Sequence, residues 1–423
     1  MSGAAMARPV DVAALRRHVP SLAGGTVLLE NAGGSQAPAC VSDAIRDYMR
    51  TTYVQLGAGY DMSRRATTTV ELAHTFINRL MNGEGDGAVI LGSSSTVLCT
   101  IVADCYSEVL RPGDEIVLAE CGHEANIGPW LRAAKRSGAA VKWWPIDRAT
   151  TATTVEALTP LLSERTRLVC FPHVSNLLGE ILDVPAIVAA ARDRAPGARA
   201  VVDGVAFAPH RPIDVAAWGV DWYFYSTYKV YGPHMAALFG RHDALAELTG
   251  PNHFFIPKDQ VPYKFELGGC SHEGCAGLLA LQDYLADIVR LMDGAAPRRT
   301  GGLLDRETIR RAFEIMGECE IPLQRRVIEY LRSKPAVRII GPSHGEPSRV
   351  GTISFVHRSR SSHEIAQHAN DRGIGIRHGH MYAHRLCTAL GIEPEDGVVR
   401  VSLVHYNSMD DLERLFVVLD EVL

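Results

Sequence analysis

Short apolar runs alternate with helical patterns between residues 86 and 245. The runs lack a regular polar alternation, which is typical of strands buried on both faces. They lie at 87–92, 114–120, 139–146, 167–175, 198–204 and 221–227. Stretches with the apolar spacing of helices separate most of them, as at 93–110 and 126–137. The alternation predicts a parallel sheet with helices on both faces, joined by right-handed crossovers.

The C-terminal third follows a different pattern. Ser408 and Asp411 have the spacing of a helix cap, and the apolar positions after them predict a final helix. In the last predicted strand, apolar and polar residues alternate with a period of two, as they do in a half-buried antiparallel strand. The predicted strands lie at 349–358, 374–379 and 398–406. We therefore predict a smaller α+β unit after a boundary near Gly301.

Composition and charge narrow the class of protein. The chain has 423 residues, of which 47% are hydrophobic and 22% charged, as in an ordinary globular protein. Its net charge is −5 without a basic stripe, so we expect no nucleic-acid partner. A membrane span would need about 18 consecutive apolar residues, and the sequence has no such run. The nine cysteines form no C-x-x-C pair, which predicts reduced thiols in a cytoplasmic protein.

Polar residues follow the predicted strands, at the edge where parallel sheets bind ligands. Ser93 and Ser94 open a helix, where hydroxyls and free N–H groups suit a phosphate, although a lone serine would also serve as an N-cap. His123 follows the next strand, and either stacks on a planar ring or lies in a surface loop. Asn176 follows another strand, and either binds a ring oxygen or substrate or caps a turn.

Two ionisable residues end the last strands of this region. Asp203 closes an apolar run, so its carboxylate needs a strong partner, either a protonated pyridine nitrogen or a nearby arginine. Lys229 follows an aromatic strand, where burial would lower its pKa and free the amine for a Schiff base; the alternative is a lysine that merely caps the strand. A phosphate site, a stacking histidine, a buried carboxylate and a lysine are together what pyridoxal phosphate requires.

Several motifs resemble a known family. The sequence is similar to fold-type I, class V aminotransferases that depend on pyridoxal phosphate, and especially to their cysteine desulfurase-like branch. The motifs are LLENAGGSQAP, DEIVLAECGHEANIGPW, HVSNLLGEI, VVDGVAFAPHRPIDVAAWGVDW, STYKVYGPH and HYN. The resemblance implies the α/β, aspartate aminotransferase-like fold of these transferases. This fold has a large domain with a mostly parallel mixed sheet and a smaller α+β C-terminal domain.

The resemblance also implies roles for individual residues. Lys229 matches the Schiff-base lysine, Asp203 the carboxylate on the pyridine nitrogen, and His123 the histidine that stacks on the ring. The residues implied to bind phosphate are Ser93, Ser94 and Ser226. Asn176 matches an asparagine near the ring hydroxyl and the substrate. The arginines implied to bind substrate are Arg400, at the α-carboxylate, and Arg377, just before a mobile loop.

This sequence departs from the family pattern at the mobile loop. Tyr382 stands where desulfurases of this group often have the cysteine that accepts sulfur, and Cys387 lies five residues further on. Tyr382 and His380 are therefore candidates to orient a leaving group. Ala206 replaces a glutamine that normally contacts the cofactor, and Tyr228 replaces a histidine beside the lysine. Gly269 replaces a threonine that the partner subunit usually supplies to the phosphate. We expect the cofactor site to be kept and the sulfur-acceptor site to be lost.

The expected reaction is C–S cleavage or β-elimination on a small amino acid, with aminotransferase or epimerase activity as alternatives. A metal hydrolase is a rival suggested by His378, His380 and His384. However, His363 and His368 lack the spacing of the zinc motif H-E-x-x-H. We expect no metal ion. A non-catalytic scaffold that kept the fold is the remaining alternative.

The resemblance further implies a homodimer with its active sites at the subunit interface. Segments 55–65 and 265–273 are the candidates to reach the neighbouring site, with Arg64 and His272 as the residues to examine. The expected domains are an N-terminal segment that packs on the small domain (1–40), a large cofactor-binding domain (41–300) and a small C-terminal domain (301–423).

Overall fold

The computed structural model of the protein describes residues 11–423. Its strands are β1 (Val27–Leu28), β2 (Gly87–Gly92), β3 (Glu115–Ala119), β4 (Ala140–Trp144), β5 (Thr166–Pro172), β6 (Arg199–Asp203), β7 (Trp222–Ser226), β8 (Ala236–Arg241), β9 (Arg299–Thr300), β10 (Leu303–Leu304), β11 (Val337–Ile340), β12 (Thr352–His357), β13 (Ile374–Gly375), β14 (Arg377–Gly379) and β15 (Val398–Ser402). Its helices are α1 (Val12–Arg16), α2 (Ala39–Thr51), α3 (Asp61–Leu80), α4 (Ser95–Val109), α5 (Gly128–Ser137), α6 (Val155–Leu158), α7 (Val184–Arg194), α8 (Val215–Trp218), α9 (His242–Glu247), α10 (His272–Asp293), α11 (Arg306–Arg332), α12 (Ser362–Asn370), α13 (His384–Ala389) and α14 (Met409–Leu419).

Strands β2 to β8 form one large sheet, in the spatial order β2-β8-β7-β6-β5-β3-β4. Strand β8 runs antiparallel to both of its neighbours, whereas the other adjacent strands pair in parallel. The apolar runs of the sequence correspond to β2 through β7. They did not reveal β8, because it follows β7 after a short turn and no helix separates the two strands.

Apolar side chains cover both faces of the large sheet. Successive residues of β7 alternate between the faces, with Trp222 and Phe224 in one core and Tyr223 and Tyr225 in the other. Helices α4 and α5 pack on the first face, and α3, α7 and α10 contribute to the second core. Since the strands other than the edge strand β4 are largely buried on both sides, their sequences lack polar alternation, and polar groups lie at the strand ends.

A second, antiparallel sheet lies in the C-terminal third. Its spatial order is β11-β12-β15-β14. Val399 and Val401 of β15 pack into a separate core with residues of α11, α12 and α14. Arg400 lies between these two valines. Because successive side chains of a strand point to opposite faces of the sheet, the Arg400 side chain points away from this core and faces the large domain.

The N-terminal segment contacts this second unit. Strand β1 pairs in parallel with β13, and Val27 joins the core of the small sheet. An ion pair of 2.9 Å joins Arg16 to Asp411. The first ten residues of the predicted segment 1–40 lie outside the described residues. The domain limits at 40 and 300 stay a prediction.

Within residues 11–423, every helix is too short or too polar to cross a lipid bilayer.

Candidate active site

An inner cavity lies at the carboxyl ends of β5, β6 and β7, where a sheet of this kind binds ligands. Its empty volume, including space that is open to solvent, is about 480 Å³. The predicted site residues in its lining are His123, Asn176, Asp203, Ser226 and Lys229, accompanied by Ser95, Thr96, Ala206 and Tyr228.

Lys229 ends a short turn (Thr227–Lys229) that follows β7. Ser35 holds this turn from outside: its N–H donates to Tyr228 O (3.1 Å), and its Oγ accepts from Tyr231 N–H (2.9 Å). Tyr231 has a φ of 61°, which a non-glycine residue adopts only when such contacts hold it. Burial and the charge of Arg400 lower the pKa of Lys229 to about 8. A substantial fraction of the amine is therefore neutral near physiological pH, as a nucleophile must be.

Asp203 is the last residue of β6, and it is only 5% exposed. Its Oδ1 accepts a hydrogen bond of 2.9 Å from Val205 N–H. Burial raises its pKa to about 6, although Lys229 and this hydrogen bond favour the charged form. A carboxylate in such a setting suits a cationic partner that would enter the cavity.

His123 caps a short turn (Glu124–Asn126) after β3. Its Nδ1 accepts a hydrogen bond of 3.0 Å from Ala125 N–H, which fixes the orientation of the ring. Burial, together with the positive charges of Lys229 and Arg400, lowers the pKa of His123 to about 4. The imidazole is thus neutral at physiological pH, and its uncharged ring can stack on a flat ligand.

The structure shifts the hydroxyls at the start of α4 relative to the sequence prediction. Ser93 is exposed, and the Ser94 side chain is used as the N-cap, where it accepts from Val97 N–H (3.2 Å). Instead of these two, Ser95 and Thr96 line the cavity. The Ser95 hydroxyl lies 2.8 Å from that of Ser226, so both contribute to one polar patch at a helix N-terminus. Because Ser94 serves as the N-cap of α4, its hydroxyl is occupied, and the hydroxyls available in the cavity are those of Ser95 and Thr96.

Asn176 and Arg400 together form another wall. Arg400 Nη1 donates to Asn176 O (3.2 Å), and Asn176 Nδ2 donates to Met381 O (2.7 Å). Among the described residues, Asn176 Oδ1 and Arg400 Nε are buried without a hydrogen-bond partner. A buried polar atom without a partner costs about 1–3 kcal/mol, so these two atoms favour the entry of a polar ligand.

A wider outer space of about 1120 Å³ continues from the inner cavity. The predicted substrate residues Arg377, His380, Tyr382 and Arg400 line it, together with His378 and Met381. The ring of Tyr382 lies 5.2 Å from that of His123, and the Tyr382 side chain is 67% exposed. Tyr382 therefore stands at the mouth of the site.

The histidines behind the metal-hydrolase alternative approach one another only in pairs. His378 and His380 line the outer space, whereas His384, whose ring is 5.6 Å from that of His380, lines a separate groove with Glu120 and Trp143. The ring of His363 is 4.7 Å from that of His378. Within residues 11–423, no three metal-binding groups of this set come close enough to hold one ion.

The two residues chosen as candidates to reach a neighbouring subunit lie away from both spaces. Arg64 is exposed and bonds to Asp61 and Gly59 O of its own segment. His272 lies in an open groove with Tyr53 and Glu273. Their predicted role at a second subunit stays a prediction.

The sequence alone indicates no role for Glu30, which comes shortly before Ala32 and Gly33 of the outer-space lining in the chain. Glu30 Oε1 accepts a hydrogen bond of 2.9 Å from Arg377 Nη1, and its charge acts on Lys229 and Arg400. The only signal in the sequence is a carboxylate in the motif LLENAGGSQAP, and nothing there indicates a partner 347 residues away.

The comparison with known proteins decides the family. The family model described as Aminotransferase class-V matches residues 27–291 and 309–415. The chain belongs to the class V aminotransferase family. It is 36% identical to the aminotransferase-like protein FGM3 of Gibberella zeae, over 97% of this chain and 98% of that one. It is 31% identical to the cysteine desulfurase-like protein ustD of Aspergillus flavus, over 98% of this chain and 91% of that one.

A solved structure agrees with this class V assignment at the level of the fold. The apo structure of a cysteine desulfurase from Thermococcus onnurineus NA1 superposes with a TM-score of 0.84 at 23% identity, over 99% of both chains. The findings confirm the predicted family, its cysteine desulfurase-like branch and the fold class. They also confirm the prediction of an enzyme, and of pyridoxal phosphate as the cofactor of its class.

Proposed function

We propose that this class V enzyme binds pyridoxal phosphate in the inner cavity and acts at Cα and Cβ of a small amino acid, by C–S cleavage or β-elimination. The observation that carries the proposal is that Lys229 and Asp203, an amine of lowered pKa and a buried carboxylate, line one cavity. A lysine and a carboxylate in the lining of one cavity are what an aldehyde and a pyridine nitrogen in one ligand require.

The remaining lining residues fit the same cofactor. The hydroxyls of Ser95, Thr96 and Ser226, at the N-terminus of α4, would hold the phosphate. The neutral ring of His123 would stack on the pyridine, and the unpartnered Oδ1 of Asn176 would accept from the ring hydroxyl or the substrate. The proposal keeps Ser226 from the sequence prediction and replaces Ser93 and Ser94 with Ser95 and Thr96.

The bound cofactor acts as an electron sink that makes the Cα–H bond of an attached amino acid acidic. The protein supplies the groups that use this acidity. Lys229, neutral above a pKa of about 8, accepts the α-proton as a general base. Arg400, with Nε still free, binds the α-carboxylate through a charge-assisted hydrogen bond. The Asp203 carboxylate would stabilise the protonated, positively charged form of the pyridine nitrogen.

The lining of both spaces favours elimination without a sulfur relay. Among residues 11–423, no cysteine lines the inner cavity or the outer space, and residue 382 at the mouth is a tyrosine. Cys387 is buried in the apolar core, and burial raises its pKa to about 11, so it is a poor nucleophile. A sulfur leaving group would therefore depart to solvent. The balanced reaction with cysteine consumes one water and gives pyruvate, ammonia and hydrogen sulfide.

Transamination is the second candidate. The Gibberella zeae relative is described as aminotransferase-like, and the same lysine and carboxylate would also serve transamination, in which Lys229 would hand on the α-proton and no leaving group would depart. Epimerisation needs the same first proton transfer and stays a further alternative.

We also propose a homodimer. The two segments predicted to reach a neighbour expose large apolar side chains that a monomer would leave in water, including Leu56, Tyr60, Met62 and Leu267. Burial of such side chains is the usual driving force for association. The cytoplasmic location stays a prediction.

The test is a panel of amino acids with different β-substituents, followed by absorbance of the loaded enzyme and by product analysis. If the reaction is elimination, we expect pyruvate and ammonia in equal amounts, and only from amino acids that carry a leaving group on Cβ. Transamination predicts a keto acid that keeps the β-substituent, and turnover that requires an acceptor keto acid. A loaded enzyme whose absorbance changes with none of the amino acids would contradict both candidates and support the scaffold.

A further inference from the structure

A network of buried hydrogen bonds reaches Tyr231, two residues after Lys229. Tyr284 Oη lies 2.5 Å from His405 Nε2, and His405 Nδ1 lies 3.1 Å from Tyr231 Oη. Tyr231 Oη in turn donates to Pro209 O at 2.9 Å. The three side chains are at most 1% exposed, so water does not compete for these bonds. The network thus joins α10, the segment after β15 and the segment after Lys229.

Only one direction of donation satisfies the whole network. Pro209 O can only accept, so Tyr231 donates its single phenolic proton there and must accept from His405 Nδ1–H. The other ring nitrogen of a neutral imidazole is an acceptor, so Tyr284 Oη donates to it. Burial and, to a lesser extent, His210 lower the pKa of His405 to about 3, which keeps the ring neutral at physiological pH. The histidine is therefore held in one tautomer.

Tyr231 needs support because its backbone is strained. A non-glycine residue keeps a φ of 61° only when its surroundings hold it. The Ser35 hydroxyl accepts from Tyr231 N–H at 2.9 Å, which holds the backbone end of the residue. His405 holds the other end, at the phenol. With both ends of Tyr231 fixed, the adjoining backbone that carries Lys229 has little room to shift.

His405 is also close in sequence to Arg400. It comes shortly after β15, the strand that carries this arginine. Lys229, through Tyr231, and Arg400, through the backbone of its own strand, are therefore both tied to His405. Since the charge of Arg400 helps to lower the pKa of Lys229, a change in the distance between the amine and the guanidinium would alter that pKa.

We propose that His405 is a positioning residue, which acts through Tyr231 to hold Lys229 at a fixed distance from Arg400. The inference rests on the proposed function in one respect, that Lys229 is where the cofactor attaches. It applies equally to elimination, transamination and epimerisation, because each begins with the transfer of a proton to this amine. His405 lines neither the inner cavity nor the outer space, so it acts only through other residues.

Three variants test the role of the network. Tyr231→Phe removes the hydroxyl that joins His405 to Pro209 O and changes no other atom. His405→Phe keeps a ring without its nitrogen atoms, and His405→Gln restores one donor and one acceptor. The matched control is Tyr330→Phe. It also removes a tyrosine hydroxyl, which donates to Asp420 Oδ1 at 2.7 Å, but from the separate core of the small sheet.

The first readout is the pKa of Lys229 in the full-length, cofactor-free protein. The rate of reductive methylation with formaldehyde is followed against pH, by mass spectrometry of the peptide that contains Lys229. Burial and the charge of Arg400 lower this pKa, whereas the carboxylates of Asp203 and Glu30 raise it. The nearby ring of His123 is neutral over this range, because its own pKa is about 4. The measurement therefore reports how deeply the amine is buried and how far it lies from Arg400.

We expect the methylation midpoint near pH 8 in the wild type. In Tyr231→Phe and His405→Phe it should rise by at least about 0.5 pH unit, because a displaced amine is less buried and farther from Arg400. His405→Gln and Tyr330→Phe should give the midpoint of the wild type. An unchanged midpoint in both Tyr231→Phe and His405→Phe would overturn the proposal, as would an equal rise in Tyr330→Phe.

The second readout is the steady-state kinetics of the cofactor-loaded enzyme. In Tyr231→Phe and His405→Phe, kcat should fall about tenfold, while KM for the amino acid should change less than about threefold. His405→Gln should recover kcat to within about threefold of the wild type. A general disturbance of β15 would instead raise KM, because Arg400 binds the carboxylate. A rise in KM as large as the fall in kcat would therefore count against positioning of Lys229.

Two features of the design keep the outcomes separable. If His405→Phe does not fold, Tyr231→Phe decides, since it fills the same space as the wild-type side chain. If borohydride traps no cofactor on the wild-type protein, the proposed function fails, whereas the methylation midpoint of Lys229 still tests the role of His405.

Discussion

The base and the mouth of the site are built in different ways. The base consists of Asp203, Ser226 and Lys229, which follow the ends of adjacent strands in a sheet covered by apolar cores. The mouth consists of residues 380–383, a loop in which Met381 and Tyr382 have φ values of 48° and 62°. The base is fixed by the sheet, whereas the loop is held by single hydrogen bonds from Glu124 N–H and Asn176.

The difference suggests a division of labour. Groups fixed by a sheet keep the geometry that a cofactor needs, because moving one of them would disturb the packing of a strand. A loop with few bonds can differ in sequence at little cost in stability, so it is where the fate of a leaving group would be decided. Substitutions at the base should therefore have large effects on catalysis, and those at the mouth small ones.

The largest effect is expected for Lys229→Ala. Because the amine is both the attachment point and the general base, its loss should lower kcat by about 10³-fold or more. Borohydride should trap the cofactor on the wild-type protein and not on the variant. Lys258→Ala, at an exposed position, is the matched control and should be trapped like the wild type. Trapping in Lys229→Ala would contradict the proposed role.

Asp203→Asn should lower activity strongly but stabilise the cofactor-free protein. The folded-state pKa of Asp203 is raised from 3.8 to about 6, so ionisation of the buried carboxyl weakens the fold as the pH rises through this interval. Above pH 6 the cost reaches about 3 kcal/mol, and asparagine avoids it. Thermal unfolding should show a higher Tm for the variant at pH 7.5 and almost no difference below pH 4. A lower Tm at both pH values would refute this account.

Arg400→Lys tests substrate binding at the wall of the cavity. A lysine keeps the charge but loses the planar donor pair, so KM for amino acids should rise about tenfold to a hundredfold with a smaller change in kcat. The matched measurement uses amines that lack the α-carboxylate. If KM for these amines rises equally, Arg400 does not bind the carboxylate.

The smallest effect is expected for Tyr382→Phe. The Tyr382 side chain is exposed, and the phenylalanine keeps the ring beside His123, so kcat should change by less than about threefold. Tyr382→Ala removes the ring as well and separates the two contributions. A loss of about a hundredfold in Tyr382→Phe would make the hydroxyl an acid in the reaction and would abolish the contrast between base and mouth.

Much of the base could be predicted from the sequence because buried parallel strands leave a local pattern. An apolar run followed by an ionisable residue makes Asp203 and Lys229 candidates, and the structure places both in the lining of one cavity. The motifs around them indicate the family. The strands β2 to β7 were predicted for the same reason. None of these predictions needs knowledge of which strands are neighbours.

Other features depend on contacts that no local pattern contains. The free hydroxyls at α4 follow from which serine becomes the cap, and Ser94 takes that place. Strand β8 gives no sign of its antiparallel direction, and the bond between Glu30 and Arg377 joins distant parts of the chain.

The bonds from Glu30 to Arg377, and from Arg400 to Asn176, have a consequence for how the protein is made. Glu30 and Arg400 are far apart in the sequence but close the same site, so a growing chain lacks Arg400 until β15 has been synthesised. The large sheet can form during translation, as domains commonly do. We expect a competent enzyme only after β15 has been synthesised, so that products truncated before this strand would remain inactive even where their sheet has folded.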